Sequence, residues 1–177
     1  MEFCLLQLNY LDWSLQRAEE KCRILKEKGI PVWVMEPVRG GRLANLEPEY
    51  MAKLEALRPG VGAPEWAFRF LQSIPEVVVT LSGMSNMDQL RDNMSYMKEF
   101  EPMASADTEL LWEAVKIINE DIAVACTACR YCVEGCPKQI EIPKYFALYN
   151  ALQSASDPDS LKKEYNELTK LYGKASD

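Results

Sequence analysis

Three short apolar runs, each followed by a stretch with helical spacing, set the narrowest limit on how this chain folds. The first, Phe3-Cys4-Leu5-Leu6-Gln7-Leu8-Asn9-Tyr10, suits a buried strand, and Asp12 stands where a cap for the next helix belongs. In that helix Leu15, Ala18, Cys22 and Leu25 recur on one face, Arg17, Glu19, Glu20 and Lys21 face outward, and Gly29 supplies a left-handed stop. A second strand, Pro31 to Met35, ends at Glu36-Pro37 and the Arg39-Gly40-Gly41 turn, with helices predicted around Tyr50 to Leu57 and Glu65 to Gln72. The third, Val77 to Leu81, is rich in β-branched residues. Ser82-Gly83-Met84 then turns the chain, and Ser85, with Asp88 three residues on, opens a helix running to about Lys98.

Strands that alternate with helices pair in parallel, because the helix is the crossover that parallel neighbours require. Such units build either an open doubly wound sheet or a closed eight-stranded barrel of roughly 250 residues. Three strands leave two bare edges and much uncovered apolar surface. The expectation is therefore α/β: a partial (β/α)8 TIM barrel, about its last three βα units, whose opening part lies on another chain or is absent. After Pro102 the pattern turns helical, with Asp107 to about Glu120, Pro143 to Gln153, and a last helix begun by Asp157-Pro158 and stopped by Gly173. A polar linker is read at Ser154-Ala155-Ser156. Residues 1–101 are thus assigned to the partial barrel and 102–177 to a small all-α region, with no internal repeat beyond the βα rhythm.

The formal charge of -7, with no Lys/Arg block against it, argues against a nucleic-acid partner. Met1-Glu2-Phe3-Cys4 lacks a basic segment and the next apolar stretch is broken at Gln7, Asn9 and Asp12, so neither a signal peptide nor a membrane span is expected and the compartment read is cytoplasmic. In that compartment glutathione keeps thiols reduced, which makes the six cysteines thiols or metal ligands rather than disulfides.

Four of them are clustered. Cys126-Thr-Ala-Cys129-Arg-Tyr-Cys132-Val-Glu-Gly-Cys136-Pro137 has the bacterial-ferredoxin spacing for a 4Fe-4S cluster, with two-residue gaps, a three-residue gap and a proline. Structural zinc is the competing reading, although zinc knuckles usually come as two pairs separated by a long loop. In two-cluster ferredoxins the fourth cysteine of such a run serves the other cluster. Either Cys136 bends back onto the same cluster, then, or further ligands lie beyond Asp177. Cys4, in an apolar strand, and Cys22, on a buried helical stripe, read as core thiols.

Ligands in parallel α/β folds gather at the carboxyl ends of the strands. There Pro37-Val38-Arg39-Gly40-Gly41 offers a cation and close backbone approach, while Gly83, Ser85 and Asn86 put free N–H groups at a helix start. The plainer alternative is a turn and a helix cap. Trp66, Phe68 and Phe70, like Met84, Met87, Met94 and Met97, are read as packing residues.

Together the segments Gln7-Leu8-Asn9-Tyr10-Leu11-Asp12, Val34-Met35-Glu36-Pro37-Val38-Arg39-Gly40-Gly41, Ala67-Phe68-Arg69-Phe70 and Leu81 to Leu90 with Asn93 resemble strands six to eight of the aldo/keto reductases. Cys126 to Cys132, on through Ile140-Glu141-Ile142-Pro143, resembles the ferredoxin-type region appended in one branch of that family. The resemblance implies an NADP or NAD cofactor. Gln7 would hold the nicotinamide carboxamide, Pro37, Val38, Arg39, Gly40 and Gly41 would border the pyrophosphate, and Gly83, Met84, Ser85, Gln89 and Asn93 would take the adenosine-phosphate end. It implies Cys126, Cys129, Cys132 and Cys136 as cluster ligands. Met35 stands where many relatives stack an aromatic ring, and Gln89 where NADP-preferring relatives often have arginine. The family's catalytic Asp, Tyr, Lys and His belong to the first half of the barrel, and this chain has no histidine.

The reading is of the C-terminal portion of an iron-sulfur oxidoreductase that does not reduce carbonyls as it stands. The alternative is an electron-transfer or interaction module without nicotinamide chemistry. Its partner would be a redox protein or the missing barrel half, with no nucleic acid, no membrane and an open oligomeric state.

Overall fold

The apolar runs form β1 (Cys4–Gln7), β2 (Val32–Met35) and β3 (Val77–Thr80), hydrogen-bonded in that order and all parallel. The structure is a computed structural model that describes residues 1–46, 48–98, 100–120, 122–154 and 158–174. The expected linker residues Ala155 and Ser156 and the expected helix cap Asp157 lie outside these. Cys4 pairs with Val32 and Gln7 with Met35, whereas the β2–β3 register steps from Val32↔Val77 to Trp33↔Val79. Val78 is the extra residue of that bulge and stands exposed. Val32 and Val34 are fully buried, while Leu5 and Met35 on the opposite face are substantially exposed.

The chain divides into a unit of Met1–Lys116 and one of Ile117–Asp177. That division falls inside α6 (Ser105–Glu120), not at the 101/102 boundary read from the change in pattern. The first part of α6 shares the barrel-like unit's core: Leu111, Ala114 and Val115 are buried, and Trp112 meets Phe70 edge-on at 5.7 Å. A composition change marks where strands stop, whereas the unit ends where its last buried residues do.

In the first unit the expected helix after β1 is two helices, α1 (Asp12–Leu15) and α2 (Ala18–Glu27), broken at Arg17 with φ 53°. Asp12 does not cap. The Asn9 side-chain oxygen accepts from the backbone N–H of Leu11 at 3.1 Å and Asp12 at 2.9 Å, leaving Asp12 inside the first turn and free to turn inward. Gly29 does end α2: at φ 62° its N–H reaches the Lys26 carbonyl and that of Ile30 reaches Leu25, a Schellman closure. After β2 come α3 (Pro48–Leu57) and α4 (Ala63–Gln72), and after β3 comes α5 (Met87–Lys98).

Helix α4 is the main packing helix because Ala63, Trp66, Ala67, Phe70 and Leu71 recur on one side. On its outer side Glu65 and Arg69 pair at 2.6 Å. Phe70 meets Tyr10, Trp13 and Trp112 edge-on, and each such contact adds about 0.5–1.5 kcal/mol beyond burial. Trp66, Phe68 and Phe70 are thus packing residues as expected. The methionines are not: Met84, Met87, Met94 and Met97 are exposed, and α5 has no buried residue. Its polar composition lets it rest on α4 through a few contacts, among them Phe68 with Tyr96, without burying a stripe.

In the second unit the described elements are α7 (Tyr131–Glu134), α8 (Ile142–Ser154) and α9 (Pro158–Tyr172), with no strand. Tyr145 of α8 meets Tyr165 of α9 edge-on at 5.8 Å, and its hydroxyl donates to the Gly173 carbonyl just past α9. Gly173, at φ 79°, is the expected stop.

Leu71→Ala, at a residue 1% exposed, is expected to lower unfolding free energy by about 3 kcal/mol. Met94→Ala, at 62% exposure, is expected to change it by no more than about 0.5 kcal/mol; urea denaturation followed by circular dichroism measures both.

Candidate functional site

Beyond the carboxyl ends of β2 and β3, the two following loops line a common cavity of about 680 Å³. Pro37, Val38, Gly40 and Gly41 come from the first loop, Gly83, Met84 and Ser85 from the second, and Gln89 and Asn93 from α5. Gly41, at φ 89°, adopts a conformation that side chains rarely take, and a Cβ on either Gly41 or Gly83 would meet nothing within 4 Å. The backbone at both positions is therefore open to a close approach. Met35, at the end of β2, adds an apolar wall where no aromatic ring stands.

The helix start in this cavity is capped by Asn86, not by Ser85. The Asn86 side-chain oxygen accepts from the Gln89 N–H at 2.9 Å, and the Gln89 side-chain oxygen accepts from the Ser85 backbone N–H at 2.8 Å and hydroxyl at 3.1 Å. Asp88 instead pairs with Arg91 on the surface at 2.9 Å. Asn93 donates to Ser82 at 2.8 Å, so the loop after β3 is held against α5 at both ends.

Two expected cofactor residues, Gln7 and Arg39, do not line the cavity. Gln7 donates to the Asp12 carboxylate at 2.8 Å. Arg39, only 4% exposed, points its Nε at the other Asp12 oxygen from 3.5 Å, so the cation of the Pro37–Gly41 turn faces the interior. The reason is Asp12, fully buried by the turn that Asn9 makes and in need of donors. Asn9 completes the cluster: its Nδ2 donates to Asp12 at 2.7 Å and to the Glu36 carbonyl at 3.0 Å. One side chain after β1 thereby ties down the backbone after β2. In the sequence Asn9 registered as a polar break in an apolar run and Asp12 as a break and a helix cap, yet two polar residues there needed partners.

The cysteine loop is organised differently. Cys129 and Cys132 are exposed, Cys126 and Cys136 half-buried, and all four are free thiols. Among the described residues no three Cys, His, Asp or Glu side chains are gathered closely enough to hold a metal ion. Thiolates repel one another and converge only around a cation, so metal binding and local folding are coupled. The donor chemistry nonetheless fits a thiophilic metal. The Ala128 N–H points at the Cys126 sulfur from 3.4 Å, and backbone N–H groups of Ile140, Lys138 and Gln139 hold the Cys136 thiol below its ordinary pKa. Left-handed backbone at Ala128, Arg130 and Gln139 gives the loop its irregular path.

Two supports went unread in the sequence. Arg130 grips Glu141 with two hydrogen bonds, at 2.8 and 2.6 Å, joining the middle of the loop to the segment beyond Cys136. Asn150 of α8 both donates to and accepts from the Val124 backbone at 2.8 Å, fixing the chain just before Cys126. Cys22 is a core thiol as expected, and burial, reinforced by Glu76, pushes it up to about 11. Cys4 is half-buried.

Among the described residues no helix is long and apolar enough to cross a membrane. No protein-family model and no curated protein matches the chain. A solved structure similar in fold is the aldo-keto reductase AKR11C1 from Bacillus halodurans in its holo form, with a TM-score of 0.51 at 21% identity. The match covers 62% of this chain and 41% of that one, so the chain spans less than half the length of that structure. The likeness is one of fold: α/β, with a small parallel sheet consistent with part of an aldo-keto reductase barrel.

Asp12→Ala, which takes away the carboxylate that Gln7, Asn9 and Arg39 face in the interior, is expected to cost about 3–5 kcal/mol. Replacing both together, Asp12→Leu with Arg39→Met, is expected to cost less than that single change, and chemical denaturation of the two variants gives the comparison.

Proposed function

We propose that this chain is the dinucleotide-holding portion of an aldo/keto-reductase-like oxidoreductase and that Cys126, Cys129, Cys132 and Cys136 hold a 4Fe-4S cluster. The observation that carries the first part is the shared cavity at the carboxyl ends of β2 and β3, where parallel α/β proteins bind their ligands. Residues from both loops and from α5 meet there, with exposed glycine backbone to admit a phosphate-containing ligand. The solved protein of similar fold is a holo form, which agrees with this reading. The second part is supported by ferredoxin-type spacing and by the backbone N–H groups directed at Cys126 and Cys136.

When bound, the nicotinamide carries hydride equivalents and the cluster carries single electrons. The chain's own residues have simpler tasks. Gly40, Gly41 and Gly83 leave room for the ligand, Met35 supplies an apolar wall, and the Asn86–Gln89–Ser85 bonds fix the start of α5 beside it. Carbonyl reduction also needs a proton donor beside the nicotinamide, and the catalytic Asp, Tyr, Lys and His that the family uses have no counterparts in this sequence. A second reading, an electron-transfer module paired with a redox protein or with the rest of a barrel, is favoured by the exposure of Cys129 and Cys132.

Anaerobic reconstitution with iron and sulfide is expected to give a brown protein with iron and sulfide in equal amounts, and Cys132→Ala is expected to lose most of both. The same preparation mixed with NADH or NADPH and simple aldehydes is expected to consume no cofactor. Zinc without sulfide would remove the cluster from the account, and steady turnover of aldehyde would contradict the absence of a general acid.

A further inference from the structure

We propose that the cavity takes a dinucleotide whose adenosine ribose is unphosphorylated, NAD(H) rather than NADP(H), and that Asp92 enforces the choice. The inference rests on the nicotinamide reading and sharpens it. Among the described residues, the ionisable side chains lining the cavity are two carboxylates, Glu36 and Asp92, with no lysine or arginine. Of the two arginines that flank the lining glycines in sequence, Arg39 is turned inward to Asp12, and Arg42 is exposed outside the lining. Arg91, on α5, is held by Asp88 outside the lining.

Gln89, Asp92 and Asn93, spaced three and four residues apart, share the face of α5 that borders the cavity. Glu36 reaches in from the other loop, with its Oε2 3.8 Å from where a Cβ on Gly40 would stand. Among the described lining residues, the favourable charge available to an anion is therefore that of backbone N–H groups and the start of α5. Those suffice for the spread charge of a phosphodiester.

A phosphomonoester is a different demand, since it carries close to two charges at neutral pH and in nucleotide sites is met by arginine. Here it would meet two like charges and, among the described lining residues, no cation. A ribose diol, by contrast, donates well to a carboxylate.

Fluorescence titration of the whole chain with NADH and NADPH at low ionic strength tests this directly. NADH is expected to bind about tenfold or more tightly than NADPH, the scale of an uncompensated like charge several ångströms away. Asp92 is exposed, with Tyr96 as a side-chain hydrogen-bond partner, and Asp92→Asn and Asp92→Lys are both expected to fold. The first is expected to narrow the ratio and the second to close or reverse it, with circular dichroism unchanged. Equal affinities, or tighter NADPH, overturn the inference while leaving the nicotinamide site standing. A clear NADH preference that neither Asp92 variant shifts overturns the role given to Asp92. Binding of neither dinucleotide removes the site and the inference together.

Discussion

A fully buried carboxylate has to be surrounded by donors, and in this fold Asp12 draws them from two loops. Gln7 and Asn9 supply hydrogen bonds from the end of β1, and Arg39 supplies charge from the turn after β2. Asn9 adds a direct bond to the Glu36 carbonyl, at a residue whose φ of 59° is itself unusual for a side-chain-bearing amino acid. Burial of an ion pair is a poor source of stability, since desolvation offsets most of the attraction. What it supplies is position: one Asp12 oxygen takes hydrogen bonds from Gln7 and Asn9 while the other faces the Arg39 guanidinium, which fixes the three side chains relative to one another. The Pro37–Gly41 turn is thereby held with its arginine inward and its glycines outward, and the cavity follows from that orientation.

The parts of the fold set by periodicity were readable from the residues. Parallel pairing and the helices α3, α4, α6, α8 and α9 follow from alternating apolar runs and helical stripes, because those patterns report burial of one face. The errors occur where a local polar contact decides. Asp12 and Ser85 look like caps in isolation, yet Asn9 and Asn86 do the capping, because an Asn side chain can accept from backbone N–H groups two and three residues on. Gln7 and Arg39, read as ligand contacts, both face a buried acid five residues beyond Gln7, a contact the sequence reading did not include. A linear pattern gives no distance between Arg39 and Asp12. The methionines of α5 failed for another reason: apolar character predicts burial only where a neighbouring surface exists to cover it.

The cysteine loop shows the same division of labour between motif and support. Its spacing names the ligands, but its path is set by Arg130 with Glu141 and by Asn150 with the Val124 backbone. These contacts brace both flanks of Cys126 to Cys136 from residues that no spacing rule picks out. The backbone N–H groups near Cys136 favour its thiolate, the form in which a cysteine binds metal.

The central claim is that the loops after β2 and β3 together form one ligand site. Amide chemical shifts of isotopically labelled protein, followed as NADH is added, report on both loops at once. The account predicts saturable shifts at Gly40, Gly41, Gly83 and Ser85, all with one dissociation constant and with little change in the second unit. Shifts confined to one loop, or concentrated in α8 and α9 while these glycines stay still, would contradict it.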